Sequence, residues 1–217
     1  EKARALASRE TGIGCDQLIV LDRSDVADVK MRIWNNGCGE VESCGNASRC
    51  IADLLFDEKR AIRASIDTKG GLLIAEKAGE KLVRVDNGLP RFAWQEIPLS
   101  EPFHDTRGIE LQIGPIDEPV LHSPSVVNVG NPHAIFWVDD VNAYDLERFG
   151  PLLENHPIFP ERANITLAHI VDRDHITIRT WERGVGLTRA CGSAACATAV
   201  AAARLKKTDR KVTTSLP

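Results

Sequence analysis

One sixteen-residue stretch occurs twice in the chain, and this repeat constrains the architecture more than any other feature of the sequence. Residues 32–47 align without a gap on residues 179–194, and seven positions are identical: an Arg, a Trp, two Gly, a Cys-Gly pair and an Ala. The aligned cysteines, Cys44 and Cys191, are 191 − 44 = 147 residues apart. Since Trp occurs only four times and Cys six times in the chain, a chance match at both residue types is improbable. Solenoid repeats are only roughly 20 to 50 residues long, so this repeat predicts two homologous halves.

The two halves are predicted to contain helices and strands in the same order, which indicates an α+β fold. Helices are expected over residues 1–11 and 145–154. Two more are expected directly after the aligned cysteines, over about 45–56 in the first half and up to about residue 205 in the second. Apolar and β-branched runs predict strands at residues 17–21, 29–34, 63–68, 72–76, 82–86, 109–113, 125–129, 134–138, 164–171, 175–181 and 211–215. Three prolines within residues 89–103 favour a linker there. We therefore expect two half-domains, residues 1–92 with Cys44 and residues 93–217 with Cys191.

Composition argues against several kinds of partner. The formal net charge is −4 and the basic residues are scattered, so no cationic face for nucleic acid is predicted. No apolar run approaches the ~20 residues that a membrane span needs. The six cysteines show neither a C-x2-C pair nor a histidine partner at zinc-finger spacing, so no metal site is predicted. A secreted disulfide framework is typical of much shorter chains, which favours a reducing, cytoplasmic location.

Each aligned cysteine stands immediately before a predicted helix, where backbone N–H groups lack partners and the helix dipole is positive. This environment favours a thiolate, and the next residues, Gly45-Asn46 and Gly192-Ser193, could offer N–H groups to a carboxylate. Two such termini facing one cleft would place a thiol on each face of a substrate α-carbon. That arrangement suits inversion of a stereocentre, because one group removes a proton and the other supplies one. For the four remaining cysteines we predict only packing roles: Cys15, Cys38, Cys50 and Cys196.

Further motifs resemble those of the diaminopimelate epimerase family over essentially the whole chain. They are TGIGCDQL at residues 11–18, CGNASRC at 44–50, GNPH at 130–133, PERAN at 160–164, WERGVG at 181–186 and ACGSAAC at 190–196. The resemblance implies that each half is an antiparallel β-sheet or barrel wrapped around a central helix. It also implies cofactor-independent epimerisation of LL-2,6-diaminopimelate to the meso isomer, in lysine and peptidoglycan precursor biosynthesis, by a homodimer.

The same resemblance implies a role for each motif residue. Cys44 and Cys191 would be the catalytic acid and base, and His133 and Glu182 would tune or orient their thiols. The reacting carboxylate would be held by Gly45, Asn46, Gly192 and Ser193. The rest of the substrate would contact Gln17, Asn35, Asn131, Asn164, Glu182 and Arg183. Taken singly, His133 is also compatible with a turn residue and Arg183 with a solvated surface charge.

The sequence departs from the family at its ends, and two alternatives stay open. The family's first strand, whose Gly-Asn-Asp-Phe motif carries the counterpart of Asn131, and its C-terminal hairpin have no match, so the chain is expected to be shortened at both ends. Proline racemases and hydroxyproline epimerases also use paired cysteines, but typically have His where this chain has Asn46. Their small substrates also give less reason for the Glu182-Arg183 pair. A non-catalytic amino-acid-binding member of the fold is the second alternative, which loss of either cysteine would favour.

Overall fold

The computed structural model describes residues 2–35, 39–42 and 44–217. Its contacts divide the chain into two compact units, Glu1–Leu89 and Pro90–Pro217. The division follows Leu89, before the boundary expected at residue 92, because Arg91 pairs with Asn128 of the second unit and donates its N–H to the Asn128 carbonyl at 2.8 Å. The packing roles predicted for Cys50 and Cys196 are wrong, because both residues are exposed. The role predicted for Cys38 lies outside the described residues.

The first unit is a six-stranded sheet with one long helix packed on it. Its elements are α1 (Lys2–Ala7), β1 (Gln17–Asp22), β2 (Val29–Asn35), β3 (Glu40–Val41), α2 (Gly45–Lys59), β4 (Arg63–Thr68), β5 (Gly71–Gly79) and β6 (Leu82–Asp86). The sheet order is β1-β2-β4-β5-β6, with β3 beside β2, and only β2 and β4 run parallel. Ile51 and Leu55 lie one helical turn apart on α2 and pack with Ile33 and Ile66 of the strands.

The second unit is built on another six-stranded sheet, with a helix on each side. Its elements are β7 (Gln112–Ile113), β8 (Leu121–His122), β9 (Ser125–Asn128), β10 (Pro132–Trp137), α3 (Leu146–Glu154), β11 (Asn164–Ile170), β12 (His175–Glu182), β13 (Gly186–Thr188), α4 (Gly192–Arg204) and β14 (Thr213–Ser215). The sheet order is β13-β12-β11-β10-β9, with β14 beside β12. β10 runs parallel to β11, and β12 to β14.

Strand β10 is covered on both faces, and this determines the direction in which the side chain of His133 points. Successive side chains on a strand point to opposite faces. Ala134 and Phe136 join a core that includes Leu146 of α3, whereas Ile135 joins a core formed with α4. Burial on both faces explains the almost continuously buried pattern of this strand. His133 shares the face of Ile135 and therefore lies toward α4.

The sequence repeat is present in both units as the same succession of elements. β1, β2, β3 and α2 correspond to β11, β12, β13 and α4. The first residues of β1 and β11 and of α2 and α4 match at the repeat offset, since 17 + 147 = 164 and 45 + 147 = 192, and those of the other two pairs differ from it by one residue. In each set the first two strands pair antiparallel and the third returns beside the second. Each set thus leads into a helix that begins directly after the repeated cysteine.

Several predictions about single segments were wrong. The expected linker over residues 89–103 belongs to the second unit, because Ile97 and Leu99 are buried in its core. The strand expected at 109–113 is limited to Gln112–Ile113, and His133 lies in β10 and not in a turn. The two six-stranded sheets are mixed and not purely antiparallel, because the first contains one parallel pair and the second contains two. Across the described ranges, none of the helices is long and apolar enough to cross a membrane.

Candidate active site

Both repeated cysteines occupy the N-cap positions of helices. Cys44 precedes α2 with φ −148° and ψ 112°, and Cys191 precedes α4 with φ −130° and ψ 102°. An N-cap side chain with such extended backbone lies beside the first-turn N–H groups, and Cys44 Sγ accepts a hydrogen bond from the Ala47 N–H at 3.5 Å. Cys44 is partly buried and Cys191 is buried. Each cysteine therefore lies at the positive end of a helix dipole, which favours a negatively charged sulfur.

The other predicted site residues of the first unit lie at two places. Gln17 and Asn35 are opposite each other on β1 and β2, and Gln17 Nε2 donates to Asn35 Oδ1 at 2.9 Å. Asn35 is buried at the end of β2. Gly45 and Asn46 begin α2, where the Asn46 side-chain oxygen accepts a hydrogen bond from Arg49. The first unit thus presents one amide pair at the strand ends and one helix terminus beside its cysteine.

In the second unit, a chain of hydrogen bonds links the cysteine to strand β10. Cys191 Sγ lies 3.4 Å from Ser193 Oγ, which lies 3.2 Å from His133 Nε2. The same ring nitrogen lies 2.8 Å from Asn131 Oδ1. All four side chains are buried, with 8% or less of their surface exposed. The structure therefore brings together four of the residues predicted from sequence.

The direction of proton donation along this chain follows from its end groups. With the Asn131 amide oxygen facing the ring, His133 Nε2 carries the ring proton, because a carbonyl oxygen only accepts. That one N–H is shared in a three-centre hydrogen bond between Asn131 Oδ1 and the more distant Ser193 Oγ, so the Ser193 hydroxyl can donate its own proton to Cys191 Sγ. A hydrogen bond donated to a charged sulfur stabilises that form. Within the described part of the chain, His133 Nδ1 has no hydrogen-bond partner.

The environment of His133 determines its charge. Complete burial, with a smaller contribution from the positive charge of Arg183, lowers the pKa of His133 from 6.5 to about 3. The imidazole is therefore neutral at neutral pH. It can orient Ser193, but it does not supply a positive charge to the thiol.

The remaining predicted residues meet at the turn between β12 and β13. Asn164 is the neighbour of His133 on the parallel strand β11, and its Oδ1 accepts the Arg183 N–H at 3.0 Å. Glu182 Oε1 accepts the Thr188 hydroxyl at 2.6 Å across the same turn. His133 and Asn164 thus connect the start of α4, which Gly192 begins, with the turn that carries Glu182 and Arg183.

Sequence reasoning missed one residue beside this turn, Glu154 at the end of α3. Its carboxylate accepts the Trp181 indole N–H at 2.7 Å and the Gly184 N–H at 2.9 Å. A signal was available, because Glu154 falls on the buried stripe of α3 that also contains Gly150 and Leu153. A charged residue on an apolar stripe indicates a buried partner elsewhere in the chain.

Comparison with known proteins identifies the family. The family model described as diaminopimelate epimerase matches residues 1–93 and 125–217. A protein named diaminopimelate epimerase from Bradyrhizobium sp. strain BTAi1 is 63% identical over 221 residues, which cover 100% of this chain and 75% of the relative. A protein of the same name from Afipia carboxidovorans is 63% identical over 219 residues, which also cover 100% of this chain and 75% of the relative.

Solved structures share the fold at much lower identity. A hydroxyproline epimerase from Agrobacterium vitis, with bound trans-4-hydroxy-L-proline, aligns with a TM-score of 0.65 and 15% identity over 95% of this chain and 65% of that one. A predicted epimerase from Pseudomonas aeruginosa aligns with a TM-score of 0.58 and 20% identity over 95% of this chain and 72% of that one. These likenesses confirm the α+β class with two sheet-rich halves, and at such identities they concern the fold alone. From the family match and from curated relatives at 63% identity, the chain belongs to the diaminopimelate epimerase family.

Proposed function

We propose that this chain interconverts LL- and meso-2,6-diaminopimelate by moving a proton at one α-carbon between the thiols of Cys44 and Cys191. The observation that carries this proposal is the pair of cysteine N-caps at corresponding positions of the two units. The substrate is supported by relatives at 61% to 63% identity that are named diaminopimelate epimerase.

The reaction needs two groups on opposite faces of the substrate carbon. The thiolate of one cysteine takes the α-proton, so an S–H bond forms while the C–H bond breaks, and the electron pair delocalises into the substrate carboxylate. The thiol of the other cysteine then gives its proton to the opposite face, and the new C–H bond has the inverted configuration. The thiolate has moved from one cysteine to the other, and the reverse reaction restores it. Protons and electrons balance without an oxidant, a reductant or pyridoxal phosphate.

Two helix termini are available to stabilise the charge that develops on the carboxylate. Gly45-Asn46 and Gly192-Ser193 are the first residues of α2 and α4, where N–H groups point out of the helix. Preorganised N–H donors of this kind lower the barrier because they meet charge that exists mainly in the transition state. Ser193 has a second role here, since its side chain lies between His133 and Cys191.

The asymmetric ends of the substrate are assigned to residues that differ between the two repeats. At the positions of Asn35 and Asn36 in the first copy, the second copy has Glu182 and Arg183. A guanidinium can fork onto the distal carboxylate, and a carboxylate can accept hydrogen bonds from the distal ammonium. Asn164 supports this role because it holds the Arg183 backbone at the turn.

The biological setting is part of the same proposal. Diaminopimelate epimerisation would serve lysine and peptidoglycan precursor biosynthesis in the cytoplasm, and the natural protein would be a homodimer. No cofactor takes part in the proposed chemistry. Among the residues that the structure describes, no group of three or more His, Cys, Asp or Glu side chains is placed to hold a metal ion.

Cysteine replacements on the two helices test the proposal. The natural protein should convert LL-diaminopimelate to the meso isomer without pyridoxal phosphate, as followed by chiral chromatography. Cys44→Ala and Cys191→Ala should each lose about 10²- to 10⁴-fold in rate, the usual contribution of a positioned acid or base, while still binding diaminopimelate in a calorimeter. Cys50→Ala on α2 and Cys196→Ala on α4 are matched controls at exposed positions and should keep the wild-type rate.

Distinct results would contradict distinct parts of the proposal. A folded, reduced natural protein that leaves LL-diaminopimelate unchanged would refute the function. A variant of Cys44 or Cys191 with the wild-type rate would refute the role of that residue. Racemisation of proline in place of diaminopimelate would favour the alternative within the same fold.

A further inference from the structure

Glu154 is a buried carboxylate that the proposed chemistry does not use. It is the last residue of α3, and only 5% of its surface is exposed. Carboxylates are rarely buried unless they are paired, and the C-terminal end of a helix dipole disfavours negative charge. Strong compensating contacts are therefore required at this position.

Three donors from three segments of the second unit provide this compensation. The Trp181 indole N–H donates to Oε2 at 2.7 Å, and the Gly184 N–H donates to Oε1 at 2.9 Å. Arg162 Nη1 donates to Oε1 at 3.0 Å and supplies the opposite charge. One carboxylate thus ties the end of α3 to strand β12, to the turn after it and to the segment before β11.

These donors flank residues assigned to the substrate. Trp181 directly precedes Glu182, and Gly184 directly follows Arg183. Arg162 stands two positions before Asn164, the residue that accepts the Arg183 N–H. The carboxylate therefore contacts the chain on both sides of the Glu182-Arg183 pair.

The turn itself has a backbone geometry that such contacts can fix. The Val185 N–H donates to the Glu182 carbonyl at 3.0 Å, and Gly184 adopts φ +72°, a conformation that suits glycine. In a turn of this kind the N–H of the central residues points away from the closing hydrogen bond. Here the Arg183 N–H donates to the Asn164 side chain and the Gly184 N–H donates to the Glu154 carboxylate. Both central N–H groups of the turn are therefore hydrogen-bonded to other segments of the second unit.

We propose that Glu154 is a positioning residue that holds the Glu182-Arg183 turn in the orientation needed to recognise the distal end of diaminopimelate. This inference rests on the proposed function. It assigns to the end of α3 a part in substrate selection, exerted through the backbone of the turn and through Trp181. A role limited to folding would instead leave substrate affinity unchanged in the folded protein.

The substitution Glu154→Gln tests the inference because it keeps the shape of the side chain. An amide group must point an N–H toward one of the three donors, so at least one hydrogen bond is lost. In the natural protein we expect KM for LL-diaminopimelate to rise about tenfold, the effect of one charge-assisted hydrogen bond, with a smaller change in kcat. Glu147→Gln on the exposed face of the same helix is the matched control and should keep both constants.

A double-mutant cycle separates positioning from folding. If Glu154 acts through Arg183, the Glu154→Gln change should raise KM far less in an Arg183→Ala protein than in the wild type. Additive effects on KM, or a lower melting temperature with unchanged KM, would overturn the inference. A wild-type protein that neither binds nor epimerises diaminopimelate would refute the proposed function and this inference with it.

Hydrogen exchange in the wild-type protein tests the same contact without a variant. Because the Gly184 N–H donates to a buried carboxylate, its exchange with solvent should be strongly protected, although it lies in a turn. Exchange of this amide at the rate of an unstructured peptide would overturn the inference. Because the measurement uses the wild-type protein, it remains decisive even if the Glu154→Gln variant does not fold.

Discussion

His133 lies in strand β10 with none of its surface exposed, and its ring reaches Cys191 through Ser193. Burial opposes the charged form of the ring, and the positive charge of Arg183 adds to this effect, so its pKa falls to about 3. A neutral ring donates one N–H and thereby fixes which way the Ser193 hydroxyl points. The sequence motif around His133 predicts a supporting role, and the burial implies that the neutral form of the ring would perform it.

The low pKa of His133 predicts a specific pH dependence of stability. Between pH 6.5 and about 3 the unfolded chain binds one more proton than the folded chain at this residue, so stability falls as the pH falls. The contribution is fully present above pH 6.5, and its slope below that is at most about 1.4 kcal/mol per pH unit. The substitution His133→Gln should therefore flatten the dependence of the unfolding free energy on pH between 6.5 and 5, measured by urea denaturation.

The His133→Gln substitution also removes an imidazole that binds a proton in the unfolded chain. The comparison with wild type therefore needs a control variant that loses an imidazole elsewhere. His104→Gln, at an exposed position, provides that control. If wild type and His133→Gln lose stability equally over this pH range, the neutral state assigned to His133 is incorrect.

Helix α3 and strand β12 make one very close contact, between Gly150 and Trp181. A Cβ atom on Gly150 would lie 2.5 Å from two ring atoms of Trp181, a distance that real side chains do not adopt. The indole therefore lies directly against the α3 backbone. Glu154 is four residues further along the same helix face, where it receives the indole N–H.

The substitution Gly150→Ala should destabilise the protein although alanine is the better helix former. Helix propensity favours alanine by about 1 kcal/mol, but overpacking a core costs about 1 to 3 kcal/mol and also displaces Trp181. We expect a lower melting temperature by calorimetry and a shifted indole N–H resonance of Trp181. Gly108→Ala is the control, because its Cβ would meet its nearest neighbour at 3.7 Å and no other atom closely. A stabilised Gly150→Ala protein would contradict the assigned packing.

The long helices of the repeat could be predicted from the sequence, whereas its shortest strands could not. The repeat and the helical spacing of apolar residues located α2 and α4 and thereby both cysteine N-caps. Strands β3 and β13, of two and three residues, are too short for a periodic pattern. Taken singly, His133 is compatible with a turn residue, but it follows Pro132 as the second residue of β10, and proline is tolerated as the first residue of a strand. The contact of Glu154 with Trp181 joins residues far apart in sequence, so no local pattern could specify it.

The two copies of the repeat provide similar groups in different surroundings. Cys44 Sγ accepts the Ala47 N–H, whereas Cys191 Sγ lies beside the Ser193 hydroxyl. The position of Ser193 corresponds to Asn46, whose side chain instead meets Arg49. The two copies of the repeat therefore place different hydrogen-bonding groups beside their cysteines.

Isotope labelling in D2O tests whether both units act on one substrate molecule. In the proposed reaction, the thiol that donates a proton to the product is not the thiolate that removed one from the substrate, and the donating thiol exchanges with solvent. During the first few per cent of conversion of LL-diaminopimelate, mass spectrometry should therefore find one deuterium in each meso product molecule and none in the recovered substrate. If a single cysteine performed both steps, it would return solvent deuterium to the substrate as well as to the product. Deuterium appearing equally in both isomers from the start would thus reject the participation of two thiols, while its confinement to the product requires that both repeats contribute to every turnover.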